Sequence, residues 1–126
     1  MNSHFCFMDE INLTGEWHYH EDFGYGTSEG HLVLTDQAGE ITGTLLATEQ
    51  SEDAETFRVK LLVEGKIQEG EISFLQLSAT SYEIIEGEVD DYQLDKWRGR
   101  IMSDKLIVGE AEDDQGVLGI FTFKRP

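Results

Sequence analysis

Apolar residues recur at every second position along most of the chain. Ile11, Leu13, Gly15, Trp17 and Tyr19 alternate with Asn12, Thr14, Glu16, His18 and His20. Phe57, Val59, Leu61, Val63, Gly65 and Ile67 alternate with Arg58, Lys60, Leu62, Glu64 and Lys66. A period of two sends successive side chains to opposite faces, so these stretches read as strands with one face buried and the other wet. Further strands are predicted at 30–36, 40–48, 71–79, 82–89, 95–102, 105–112 and 116–125. No segment repeats apolar residues at helical spacing for three turns. Turn-forming residues separate the strands at Asp36-Gln37-Ala38-Gly39, Gln68-Glu69-Gly70, Ser103-Asp104 and Asp114-Gln115-Gly116. Tight turns between successive strands imply antiparallel pairing in chain order. A closed meander needs an even number of strands, whereas this division yields nine. The surplus is expected at 71–89, where the phase slips between Phe74 and Leu75 as it does at a bulge.

Gly15, Gly43, Gly65, Gly87, Gly99, Gly109 and Gly119 fall in phase with the apolar positions, and each is expected inside a strand. Glycine weakens a flat strand but lets a coiled one bend without a side-chain clash. The pattern therefore points to an all-β fold, an antiparallel up-and-down meander barrel of about eight strands. An open two-layer sandwich is the alternative. The domain division is an N-terminal segment over 1–10 and a single barrel over 11–126.

Leu13-Thr14-Gly15-Glu16-Trp17 carries a family likeness. A Gly-x-Trp on the first strand of such a barrel resembles the signature of the calycins: lipocalins, fatty-acid-binding proteins and avidins. In those families a basic residue of the last strand packs over the tryptophan, which the resemblance assigns to Arg125, in phase with Phe121 and Phe123. Leu32-Val33-Leu34 and Gly39-Glu40-Ile41-Thr42-Gly43-Thr44 are similar to the avidin opening, and the hairpin is similar to that of many bacterial barrels. The polar biotin cage does not carry over. Avidins have an asparagine where this chain has Tyr19, and a tyrosine and a hydroxyl residue where it has Leu45 and Ala47. A pocket without those partners rejects a polar ligand by several kcal/mol, so biotin is not an expected ligand.

Charge narrows the partners. With 26 acids against 9 bases, the formal net charge is −17. Phosphate backbones would be repelled, so no nucleic acid is expected. No apolar run approaches the roughly 20 residues of a membrane-spanning helix, so no membrane is expected either. One cysteine, Cys6, excludes an internal disulfide framework. The first ten residues hold only Phe5-Cys6-Phe7-Met8 as an apolar stretch, with no base before it, so no signal peptide is read and a cytoplasmic location is expected.

Candidate chemistry is sparse. Glu16, His18, His20 and Asp22 share one strand face at spacings of about 7 Å, and His-x-His on a strand suits zinc. Their phase with Asn12 and Thr14 makes them solvent-facing instead, so no metal is expected, and His31 adds nothing further. Glu83, Glu86, Glu88, Asp90 and Asp91, and then Glu110, Glu112, Asp113 and Asp114, lack the oxygen spacing of a calcium loop and read as solvated faces. No nucleophile elbow, phosphate loop or Cys-x-x-Cys occurs, and no cofactor is implied.

The expected inner face is Leu13, Trp17, Tyr19, Leu32, Leu34, Ile41, Leu45, Phe57, Val59, Leu61, Val63, Trp97, Ile101, Val117, Phe121 and Phe123, without an acid or a histidine. General acid–base catalysis needs a titratable group in the pocket, so the chain reads as a non-enzyme. The first functional reading is a calycin-like barrel holding a small apolar or amphipathic ligand against Trp17, Tyr19, Leu34, Leu45, Phe57, Leu61, Trp97 and Phe121. The alternative is an acidic module, such as an inhibitor or immunity protein, for a basic protein partner. Leu106, Val108, Leu118 and Ile120 are out of phase with the core. They are expected to form an apolar group on the exterior, covered by Phe5, Phe7 and Met8 or by a second copy in a homodimer.

Overall fold

The computed structural model describes residues 11–126. Eight strands follow one another: β1 Gly15–Asp22, β2 Gly26–Gln37, β3 Glu40–Ser51, β4 Ala54–Gln68, β5 Phe74–Glu86, β6 Asp95–Ser103, β7 Leu106–Asp113 and β8 Leu118–Lys124. Each pairs antiparallel with the next, and β1 also pairs with β8 from His18↔Lys124 to Asp22↔Ile120, which closes the barrel in up-and-down order. The expected segment 1–10 and its Phe5, Phe7 and Met8 lie outside the described residues.

The strand count corrects itself where the phase slips, but for a different local reason. Segments 71–79 and 82–89 are one strand, β5, which excludes 71–73 and 87–89. The slip is not between Phe74 and Leu75. Register shifts occur where Val63↔Ala79 is followed by Leu62↔Ser81, and where Val59↔Ile84 is followed by Arg58↔Glu86. Thr80 and Ile85 are thus the extra residues of two bulges, each of which reverses the in–out alternation. Gly87 is likewise not inside a strand; it leaves β5 with φ 86°. The β2–β3 connection is the two-residue loop Ala38-Gly39, both with positive φ, as a hairpin of matching twist demands. Alanine at φ 54° is strained there. Ala38→Gly is therefore expected to raise stability by about 0.5–1 kcal/mol, read as a higher urea midpoint at unchanged slope.

The core is the in-phase set of all eight strands. The expected inner-face residues are buried, except that Val117 is half-buried, and Ala47, Leu75, Leu77, Ala79, Ile107 and Ala111 join them. In the antiparallel β6–β7 pair, Gly99 and Gly109 face each other in register. A Cβ on Gly99 would come within 2.8 Å of the Phe121 ring and one on Gly109 within 2.6 Å of Gly99 Cα. That close approach lets the Phe121 ring reach into the interior.

One end of the barrel is sealed. It carries Asn12–Thr14 and the turns after β2, β4 and β6. Trp17 is fully buried there, and its Nε1 donates to Leu13 O at 2.9 Å. The Arg125 guanidinium lies 4.4 Å above the Trp17 ring and donates to the carbonyls of Asp104, Thr14 and Asn12 at 2.6–2.9 Å. Buried Asp36 accepts from Leu13 N at 3.0 Å and Gly39 N at 2.9 Å, fastening the chain before β1 to the β2–β3 turn.

The exterior group is less apolar than its phase suggested. Leu118 and Ile120 are 60% and 70% exposed, but directly across the β7–β8 pair they face Glu112 and Glu110. Leu106 and Val108 are half-buried and face Lys124 and Thr122.

Candidate functional site

The other end of the barrel is open and acidic. A cavity of about 160 Å³ lies inside its mouth, lined by Glu21, Glu49, Asp95 and Asp113 together with Phe23, Tyr25, Phe57, Val89, Asp91, Tyr92, Gln93 and Val117. The expectation of an inner face without acids is therefore overturned. Glu21 continues the inward series Trp17, Tyr19, Glu21 on β1 and is 6% exposed. Glu49 continues Leu45, Ala47 on β3; Asp95 precedes Trp97 in phase on β6; Asp113 follows Ala111 in phase on β7. Each is the inward position at the open end of its strand. This signal was present in the alternation one residue pair beyond where the apolar run stops.

The four carboxylates share one cavity. Asp95 and Asp113 are directly opposed in the β6–β7 register, an arrangement that repels unless a proton or a cation intervenes. Burial pushes the Asp95 carboxyl up to about 8, reinforced by Glu21, Glu49, Asp113 and Asp114. Burial likewise raises Glu49 to about 7, with Glu21 and Asp113 adding to it. Glu21 is raised by burial and partly restored by the hydroxyl of Tyr19, which donates to Glu21 Oε1. Trp97 Nε1 in turn donates to the Tyr19 hydroxyl at 3.4 Å, so a chain of donors runs from the core to the cavity floor. Room for the Glu21 carboxylate comes from Gly119 on β8, where a Cβ would overlap Oε2.

Aromatic rings form the walls. The loop between β5 and β6 tucks Tyr92 into the mouth, 5.9 Å from the Phe57 ring and 4.9 Å from that of Tyr82. Burial raises the Tyr92 hydroxyl above its ordinary value, and the four carboxylates act in the same direction. Phe23 and Tyr25 meet edge to face at 5.0 Å on the opposite rim. No lysine, arginine or histidine is among the lining residues.

Of the eight side chains expected to hold a ligand, Phe57 alone lines this cavity. Trp17, Tyr19, Leu34, Leu45, Leu61, Trp97 and Phe121 are each at most 2% exposed and pack against one another. A side chain that a water-sized probe cannot touch has no void beside it, so the middle of the barrel is filled. The described histidines, His18, His20 and His31, are outside. His31 lies 2.6 Å from Glu16 and His18 3.2 Å from Glu29, all at least half exposed. Among the described residues no group of three or more His, Cys, Asp or Glu is placed to hold a metal ion.

No protein-family model matches the chain, and no curated protein matches it. Solved structures do. A redesigned β-barrel, mFAP1, bound to DFHBI, superposes with a TM-score of 0.60 at 12% identity, over 90% of this chain and 94% of that one. A de novo designed fluorescence-activating β-barrel superposes with a TM-score of 0.54 at 12% identity, over 91% and 94%. At such identity the likeness is one of fold: a closed eight-stranded antiparallel barrel.

Proposed function

We propose that the protein is a non-enzymatic, calycin-like binding barrel whose open end takes a small amphipathic ligand, an amine on an apolar or aromatic body. The observation that carries this reading is the mouth cavity, in which four carboxylates converge between aromatic walls without a base among them. A protonated amine relieves the repulsion between Asp95 and Asp113, and charge-assisted hydrogen bonds to buried carboxylates are the strong ones. Phe57 and Tyr92 offer their rings to the ligand's apolar part and their faces to its charge. The filled middle of the barrel limits the size of the body, since a cavity on the order of 150 Å³ holds about one aromatic ring. The two designed barrels bear on this only through their fold, which in one case is bound to DFHBI. The carboxyl groups serve here to hold charge rather than to transfer protons.

Titration calorimetry with benzylamine, benzyl alcohol and benzoate at pH 8 tests the reading. Benzylamine is expected to bind at least about tenfold more tightly than the alcohol, and benzoate not at all. Lowering the pH from 8 to 6 is expected to weaken benzylamine, as Asp95 and Glu49 take up protons through about 8 and about 7. Equal affinity for all three, or no heat from benzylamine at millimolar concentration, removes the proposal.

A further inference from the structure

The barrel is closed, yet one of its strands has a free edge. β5 pairs with β6 only from Phe74↔Arg100 to Ser78↔Lys96, because β6 begins at Asp95. Beyond Ser78, β5 continues through Glu86 with β4 on one side and, among the described residues, no strand on the other. The loop that follows does not cover this edge. Tyr92 packs against the Phe57 and Tyr82 rings inside the mouth. Among the described residues, no backbone hydrogen bond outside the strand ladders involves residues 79–94. From Thr80 to Glu86 every residue is exposed except half-buried Ile84. Among the described residues nothing pairs with the outward N–H and C=O groups of this stretch, and they form a template for one more strand.

We infer that the Thr80–Glu86 edge of β5 docks an extended, basic segment of a partner protein by strand addition. The inference is independent of the mouth cavity and rests on three features of the edge. Between the bulges at Thr80 and Ile85, Ser81–Ile84 keep regular register with Leu62–Val59, so a four-residue ladder of unbroken pitch is available. Tyr82 and Ile85, 48% and 43% exposed, offer apolar surface along it, Tyr82 beside the Tyr92 ring. Charge selects the partner: from Thr80 to Asp90 the chain has four acids, Glu83, Glu86, Glu88 and Asp90, none of them lining the mouth cavity, and no base. The bases beside the edge are Lys96, which faces Ser78 where the β5–β6 pairing ends, and on β4 Arg58, held by Glu86 at 3.0 Å, and Lys60, opposite Glu83. Glu88, Asp90 and Asp91 have no such cation beside them in the sequence. A second copy would bring the same acids against their duplicates, which a net charge of −17 makes worse. An extended chain with lysine or arginine at alternate positions meets both demands, backbone pairing for affinity and opposite charge for selection.

The probes are two synthetic octapeptides, one alternating lysine with valine and one alternating glutamate with valine. The readout is amide hydrogen exchange by NMR on the full chain. The lysine peptide at millimolar concentration is expected to slow exchange at amides within Ser81–Ile85 while leaving Glu21 and Asp113 unchanged. The glutamate peptide is expected to do nothing. Glu83→Gln, which sets no like charge opposite Lys60, combined with Asp90→Lys is expected to weaken the lysine peptide about tenfold without lowering the thermal midpoint. Neither residue lines the mouth cavity, so benzylamine titration of this variant separates failure here from failure of the ligand reading. Equal protection by both peptides, or protection by neither, overturns the inference. So does protection of the same amides in the free monomer, which would seat a segment of this chain on the edge. Protection that grows with protein concentration alone would seat a second copy there and overturn it equally.

Discussion

Replacing Trp17 by alanine is expected to lower the unfolding free energy by about 3–5 kcal/mol. The ring is fully buried, touches the core on one face and is roofed by the Arg125 guanidinium on the other. Truncation leaves a void that neither a rigid barrel nor the tethered arginine can fill. Arg125 is bound to three carbonyls from two separate segments, so it cannot collapse inward without losing them. The same position offers its own control. Arg125→Lys keeps the charge but not the planar fork, and is expected to destabilise by a smaller amount than the tryptophan change. Urea unfolding of both variants measures the difference. A Trp17→Ala midpoint close to that of the unaltered protein would mean that the sealed end contributes little to stability.

The second large effect is expected from pH, in the direction opposite to the usual acid denaturation. Asp95 has its folded-state pKa raised from 3.8 to about 8, and Glu49 from 4.5 to about 7. A raised carboxyl pKa means that the folded state binds more protons than the unfolded one between those limits. The stability contributed by the neutral carboxyl is complete below pH 4 and lost as pH climbs through about 8. Asp95→Asn holds the neutral shape at every pH. It is expected to match the unaltered protein near pH 4 and to exceed it at pH 8 by about 2 kcal/mol. That figure is well below a full conversion of the shift, because solvent at the mouth screens the repulsion. Asp95 is the more strongly shifted of the two, so removing it leaves a shallower pH slope in the variant, carried by Glu49. Thermal midpoints of both proteins across this range are the measurement. Parallel curves would show that Asp95 is not under the repulsion its neighbours exert.

These two effects sit at opposite ends of the barrel, and the ends were unequally legible in the chain. At the sealed end the resemblance carried by Gly15-x-Trp17, with Arg125 of matching parity, implied a ring beneath a cation, and the cation lies 4.4 Å above the ring. The open end has no motif. Glu21, Glu49, Asp95 and Asp113 come from four strands far apart in the chain. Their inward phase was visible, but a reading that ends each strand at its last apolar residue leaves them outside. Burial at a barrel mouth does not require an apolar side chain, because solvent and neighbouring carboxyl protons share the cost of the charge.

The bulges teach a related lesson. A phase slip in 71–89 was evident, but its position depended on which β4 residues stand opposite, and that is a matter of register. Fold class, meander order and the greater part of the core were set by the chain itself, because a period of two and tight turns are local properties that few folds satisfy. Tertiary structure alone decided that four acids meet, that the middle of the barrel is filled, and that β5 outruns β6. Those depend on where closure places distant strands against one another, and alternation along one strand carries no information about its height relative to the next.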